Sequence, residues 1–358
     1  MASFTDVFED VTKQGRKIPT SDYHETGVHP IIDQGQSAIA GYTDETDGLF
    51  TDVPAIIFGD HTRVLKYVDT PCFLGADGVK LLKTKIANPN YKYLYYVLSS
   101  ANIPNTGYNR HFKWLKEVNI PLPNVDEQQK IVDTLDKIGE LITLRKEQLA
   151  KLDQLVKSRF IELFGDPETN PKGLEKVLLS DIAEYFNGLT YSPDNVTNDG
   201  TIVLRSSNIQ NSQLDFADTV RVNSSIKDKL FVKDNDILMC SRNGSARLVG
   251  KVALIKNLSE PMTFGAFMMI IRSRYYPYLM TYFQMDVFRR QIATGATTTI
   301  NQITGNMLNK ISLPLPNMTD INEFATFVEQ TDKSKLVIQQ SLDKLELLKK
   351  SLMQEYFG

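Results

Sequence analysis

From residue 131 onward, apolar positions recur at alternating spacings of four and three. They are Ile131, Leu135, Ile138, Ile142, Leu149, Leu152, Val156 and Leu163, with Arg145 and Arg159 filling two of the steps. This heptad seam predicts a long helix built to pack against another helix. Pro121 and Pro123 bar an earlier start, Asp126 and Glu127 put negative charge on the first turn, and Gly165-Asp166-Pro167 ends the run. A second seam starts near Asp320 and reads Phe324, Val328, Ile338, Leu342, Leu345, Leu352 and Tyr356, weakened by Thr331, Lys335 and Lys349. One offset of 193 residues relates the two copies: Leu122-Pro123-Asn124 recurs as Leu315-Pro316-Asn317, and Phe164-Gly165 as Phe357-Gly358. A repeat of this kind settles the architecture before finer assignments. Each helix, about 38 residues and so about 57 Å long, exceeds what an ordinary domain can cover, so the two are expected to bury each other.

The remaining sequence is mixed. Thr201–Leu204, Asp236–Cys240 and Val252–Ile255 read as strands between turns, and Tyr91–Ser99 and Pro277–Arg290 as helices. The expected fold class is therefore α+β, with a globular domain over 1–120, a spacer helix over 121–165, a second globular domain over 166–312 and a second spacer helix over 313–358. The turn-rich stretch 165–173 marks the boundary between copies.

Composition changes this picture little. The 358 residues carry a net charge of −3, and only 168–310 is basic, by +3. A chain that wraps nucleic acid alone carries more positive charge, so either nucleic acid is not bound or a partner supplies most phosphate contacts. Cys72 and Cys240 lie in different copies and suit a reducing cytoplasm. The N-terminus lacks a signal-peptide pattern, and an apolar run such as Gly265–Ile271 is too short to span a bilayer.

Several segments together are specific. Ile120-Pro121-Leu122-Pro123 is followed by Glu127-Gln128-Gln129-Lys130-Ile131-Val132, and Phe164-Gly165-Asp166-Pro167 closes the first helix. With Gly59-Asp60-His61-Thr62-Arg63 and Gly75-Ala76-Asp77-Gly78, this order resembles the specificity subunit of type I restriction-modification systems along the whole chain. The second copy departs at Thr319-Asp320-Ile321-Asn322-Glu323. The resemblance implies two α+β target recognition domains, each reading one half of a split double-stranded DNA site. It also implies an antiparallel coiled coil with pseudo-twofold symmetry that docks two adenine methyltransferase subunits, with restriction subunits joining when present. The chain itself would hold no cofactor; S-adenosylmethionine would belong to the methyltransferase, and ATP and magnesium to the restriction subunit. Like domains at the ends of such a helix pair would read half-sites at a separation set by helix length, as in dimeric readers.

Three loops recur at corresponding places. The first holds Gln34 and Gln36 in one copy and Arg205, Ser206, Ser207 and Asn208 in the other. Amides suit adenine and Arg suits guanine in the major groove; an ordinary polar loop would look the same. The second holds His61 and Arg63, matched by Ser241, Arg242 and Asn243. Small polar groups beside an Arg suit phosphate or base edges. Asp60-His61 also reads as a catalytic pair, which the matching loop lacks. The third holds Tyr108, Asn109 and Arg110, matched by Thr297, Thr298, Thr299, Asn301 and Gln302; DNA contact competes here with simple capping. The tyrosines at 91, 93, 95, 96, 275, 276, 278 and 282 are spaced for core packing rather than base stacking.

Enzymatic motifs are wanting. Asn88-Pro89-Asn90-Tyr91 departs at its third position from the Asn-Pro-Pro-Tyr of amino methyltransferases, and no Asp-x-Lys or Glu-x-Lys tripeptide of a restriction-type nuclease occurs. A phosphate-binding glycine loop and a metal-ligand spacing are likewise missing from the sequence. The expectation is a non-enzymatic DNA-specificity subunit; the rival is a coiled-coil adaptor binding proteins only.

Overall fold

The computed structural model describes residues 1–75, 77–293 and 301–358 and divides into two compact units. Unit 1 comprises Met1–Glu147 with Ile338–Gly358, and unit 2 comprises Gln148–Val337. In chain order the first copy contains β1 (Ala2–Ser3), α1 (Phe4–Val7), β2 (Phe8–Asp10), β3 (His29–Ile32), β4 (Gly41–Thr43), β5 (Ala55–Gly59), β6 (Leu65–Val68), β7 (Phe73–Leu74), β8 (Val79–Thr84), α2 (Tyr91–Ser100), α3 (Phe112–Leu115), β9 (Asn119–Ile120) and α4 (Val125–Phe164). The second copy contains β10 (Lys176–Leu178), α5 (Leu179–Ile182), β11 (Glu184–Asn187), β12 (Val196–Thr197), β13 (Thr201–Leu204), β14 (Ile209–Gln210), β15 (Gln213–Leu214), β16 (Val220–Val222), β17 (Ile237–Cys240), β18 (Val252–Leu254), β19 (Met262–Phe264), β20 (Met268–Arg272), α6 (Tyr276–Tyr282), α7 (Asp286–Ala293), α8 (Gly305–Leu308), β21 (Ser312–Pro314) and α9 (Met318–Phe357).

The topology repeats. Unit 1 has an antiparallel sheet in the order β2-β8-β5-β6, and unit 2 has β11-β20-β17-β18. β5 and β17 are apolar runs (AIIFG and ILMC) buried along their length, as central strands demand. A second sheet in each unit includes one parallel pair, β3 with β7 and β13 with β19. A two-stranded ladder, β1 with β9 and β10 with β21, leads the chain to each long helix. Where one helix was expected over Pro277–Arg290, the chain makes two. Gln284 and Met285 donate to the carbonyls of Thr281 and Tyr282, closing α6 before Asp286 opens α7. Phe283 and Phe288, 4.9 Å apart, pack across the break.

Both long helices have 40 residues. Asn124 and Asn317 cap them, their side-chain oxygens accepting from the Glu127 and Asp320 N–H groups at 3.0 Å. The second helix thus starts at Met318, two residues before the expected Asp320. Gly165, at φ +78°, follows α4 and donates to the Ile161 carbonyl. Within unit 1 the first part of α4 runs antiparallel to the last part of α9: Lys146 pairs with Glu346 at 2.8 Å, while Gly139 faces Lys349. Within unit 2, Asp153 pairs with Lys335 and Arg159 with Glu323, both at 2.5 Å, again antiparallel.

The seam is not purely mutual. Ile131 and Leu135 join the core of unit 1, on which Leu352, Met353, Tyr356 and Phe357 also pack. Phe160, Phe164, Ile321 and Phe324 are buried in the core of unit 2, with Val156, Leu163 and Val328 against it. Ile138 and Leu342 are buried, and Ile142, Leu149, Leu152, Ile338 and Leu345 are half-buried. The helix ends thus complete the globular cores, and within each unit ion pairs link the two helices.

Candidate nucleic-acid interface

In unit 1 the three loops converge. The chain leaving β3 turns at Asp33, whose carboxylate accepts from the Gly35 N–H at 2.8 Å and pairs with Lys66 at 3.4 Å. Lys66 is buried and donates to the Ser37 carbonyl at 2.6 Å. Burial lowers its ammonium below the usual lysine value, and Asp33 opposes the shift. Gln34 is consumed in joining loops: its amide nitrogen donates to the Asp77 carbonyl at 3.0 Å and its oxygen accepts from the His61 N–H at 3.2 Å. Thr62 donates to the Gln34 carbonyl at 2.6 Å. Gln36 stands exposed.

The loop after β5 meets the loop before α3. The His61 and Tyr108 rings stack at 4.6 Å and 7°, and Tyr108 is 88% exposed. The His61 Nδ1 atom is buried without a partner among the described residues. Asp60 does not pair with His61; its buried carboxylate accepts from the Phe112 N–H at 2.7 Å, and its carbonyl from the His111 N–H at 2.8 Å. Arg63 takes φ +63° and donates to the Ile103 carbonyl at 3.2 Å. Asn109 is exposed, yet its amide nitrogen bonds back to Thr106. Arg110 is exposed and, with Thr106, Asn109, Lys113 and Trp114, lines a cleft of about 530 Å³.

Unit 2 gathers the matching loops. Asn208 is fully buried and donates to the carbonyls of Asp215 and Asp218 while accepting from the Arg205 N–H. It therefore braces the loop instead of offering its amide to a base. Ser241, 3% exposed, is similarly interior. Arg205 pairs with Asp218 at 2.7 Å, and its Nε and the Ser207 Oγ are buried without partners among the described residues. Ser206 accepts from the Asn243 amide at 3.3 Å. Arg242, Asn301 and Gln302 are exposed; the Asn243 N–H donates to the Asn301 carbonyl, and Arg242 and Gln302 form a bridge pair. Thr297, Thr298 and Thr299 lie outside the described residues.

A fourth loop joins each set, one that the sequence marked only through Gly75-Ala76-Asp77-Gly78 and left without a match in the second copy. Gly78 in unit 1 accepts from the Asp60 N–H, and Phe267 in unit 2 accepts from the N–H groups of Ser241 and Arg242. Gly75-Ala76 and Gly265-Ala266 introduce these segments, a short echo that could have paired them. The expected aromatic cores are present: Tyr91, Tyr93, Tyr96, Tyr275, Tyr278 and Tyr282 are buried. Among the described residues there is no helix long and apolar enough to cross a membrane, and no His/Cys/Asp/Glu cluster suited to a metal ion.

Comparison with known proteins gives concordant results. The family model for the type I restriction modification DNA specificity domain matches residues 2–154 and again 171–347. The EcoR124I/EcoR124II type I restriction enzyme specificity subunit of Escherichia coli is 26% identical over 348 residues, covering 88% of this chain and 81% of that protein. The EcoKI specificity subunit of Escherichia coli K12 is 26% identical over 183 residues, covering 48% and 39%. The fold is shared with the crystal structure of a type I restriction-modification S subunit from M. genitalium. That comparison has a TM-score of 0.60 at 16% identity, over 99% of this chain and 95% of the other. A structure concerned with complex assembly and conformational transition of the type I R-M system gives 0.53 at 16% identity, over 99% and 95%.

Proposed function

The chain belongs to the type I restriction-modification DNA specificity family, and from that premise we propose that it reads a split, asymmetric site on double-stranded DNA without catalysing a reaction itself. Unit 1 reads one half and unit 2 the other. The observation that carries this is one topology built twice with unlike side chains at equivalent loops: His61 and Gly78 in one unit, Arg242 and Phe267 in the other. A shared scaffold with different tips is what reading two unlike half-sites requires.

The long helices dock two adenine methyltransferase subunits, and restriction subunits join where present. This division of labour accords with the modest charge: partners supply most of the phosphate contacts that drive affinity. The methyltransferase brings S-adenosylmethionine, the restriction subunit brings ATP and magnesium, and the chain needs no cofactor for reading. It acts in the cytoplasm, where the DNA is. The candidate contacts are Gln36, His61, Tyr108 and Arg110 in unit 1, and Arg205, Ser206, Arg242, Asn243, Asn301 and Gln302 in unit 2, with Thr297, Thr298 and Thr299 shortly before the last pair in sequence.

The test is to sequence methylated adenines in a host carrying the methyltransferase partner, with and without this chain. A split adenine-methylated motif should vanish on deletion. If methylation is unchanged, the protein-only adaptor is the better reading.

A further inference from the structure

Phe267 is 60% exposed, an unusual place for a phenyl ring, and it sits among the loops of the candidate interface in unit 2. The Arg242 guanidinium lies over that ring, 5.3 Å from its centroid. The Phe267 carbonyl accepts from the N–H groups of both Ser241 and Arg242, at 2.9 and 3.0 Å, so the two residues are tied through backbone as well as through a cation–π contact. Arg205, Arg221 and Arg272 are each committed to a carboxylate. Arg242 makes no ion pair among the described residues. Stacking on an aromatic face holds the plane of a guanidinium and leaves its in-plane N–H groups directed outward.

Unit 1 has no counterpart. Gly78 occupies the place equivalent to Phe267, at φ +89°, and a Cβ there would lie 2.7–2.8 Å from Gln34 and 2.8 Å from His61. The ring is therefore a property of one reader alone.

We propose that Arg242 reads a guanine in the half-site bound by unit 2, with Phe267 as its positioning residue and as the contact for the methyl group of an adjacent thymine. The inference rests on the DNA-specificity reading above. An ordered Arg fork fits the O6 and N7 acceptors of guanine, and an apolar ring fits a thymine methyl. A phosphate would satisfy the fork but leave an exposed phenyl ring unmatched beside it.

The test uses the full chain with its methyltransferase partner, read by sequencing of methylated adenines. R242K keeps the charge and removes the fork. It should relax a single G·C position in one half of the motif, with selectivity there falling roughly tenfold to a hundredfold, while the other half stays intact. F267A should relax the same position and the adjacent A·T pair as well, and F267Y should retain both. An unchanged motif in R242K and R242A overturns the inference alone. So does an even drop in methylation with the motif unchanged, which would mark a phosphate contact, or, in the Arg242 variants, relaxation at an A·T pair in place of the G·C pair. A wild-type chain that yields no split motif overturns the DNA reading and this inference with it.

Discussion

Two tyrosine hydroxyls do the same task in the two units. Tyr93 donates to the Pro121 carbonyl at 3.0 Å, and Tyr278 donates to the Pro314 carbonyl at 2.7 Å. Pro121 and Pro314 are 193 residues apart, so each bond pins the same approach to a long helix. Tyr93→Phe and Tyr278→Phe should each cost about 1 kcal/mol in urea unfolding; unchanged midpoints would deny the bonds a role. Burial pushes the Tyr93 hydroxyl up to about 12, from an ordinary value near 10. The folded chain therefore holds that proton more tightly than the unfolded chain. The resulting stability is present below pH 10 and is lost as pH rises through 12. Alkaline titration should show this loss in the wild type and less of it in Tyr93→Phe. Cys72 and Cys240 are fully buried, and burial pushes the Cys72 thiol up to about 11. A thiol reagent at pH 8 should find neither until the chain is denatured; rapid native labelling would contradict the packing. The tyrosine spacing marked these side chains as core, but a hydroxyl partner across the fold depends on tertiary path and leaves no local signal. Asn208 shows the same limit in reverse: an amide in a polar loop reads as a base contact until the loop folds over it.

The long helices were the most legible elements, because a seam sustained over many turns admits one explanation. β13 was legible as Thr201–Leu204, and β17 and β18 to within a residue, from dense apolar runs. The break between α6 and α7 was not, since the apolar pattern continues across it and no proline or glycine marks the turn. The Asn124 and Asn317 caps stood in the repeated Leu-Pro-Asn and gained meaning only from their bonds to the helix N–H groups. Leu149 and Leu152 are half-buried on the seam. Replacing both with Asp should destabilise the helix pair by roughly 2–4 kcal/mol, since each places an unpaired charge on an apolar contact. A shifted urea midpoint and lost co-purification of the methyltransferase are the expected results; retention at wild-type yield would count against a docking role for the pair.

At the scale of the whole chain, duplication was readable from one offset, whereas the identity of the bases read is not, since it depends on side-chain pose and DNA shape. If helix length sets the half-site spacing, one extra heptad in each long helix adds about 10.5 Å and should widen the unmethylated gap in the motif by about three base pairs. An unchanged gap would refute the ruler. The division of the chain carries one more consequence. The core beside Tyr93 is finished by Leu352, Met353, Tyr356 and Phe357, after all of 148–337 has intervened. On a ribosome adding about 5–20 residues each second, the domain that emerges first waits on the order of 10–40 s for its missing wall. Meanwhile the domain encoded between its two pieces can finish alone. Nascent chains stalled before residue 338 should therefore expose the older domain, not the younger one, to proteases and chaperones.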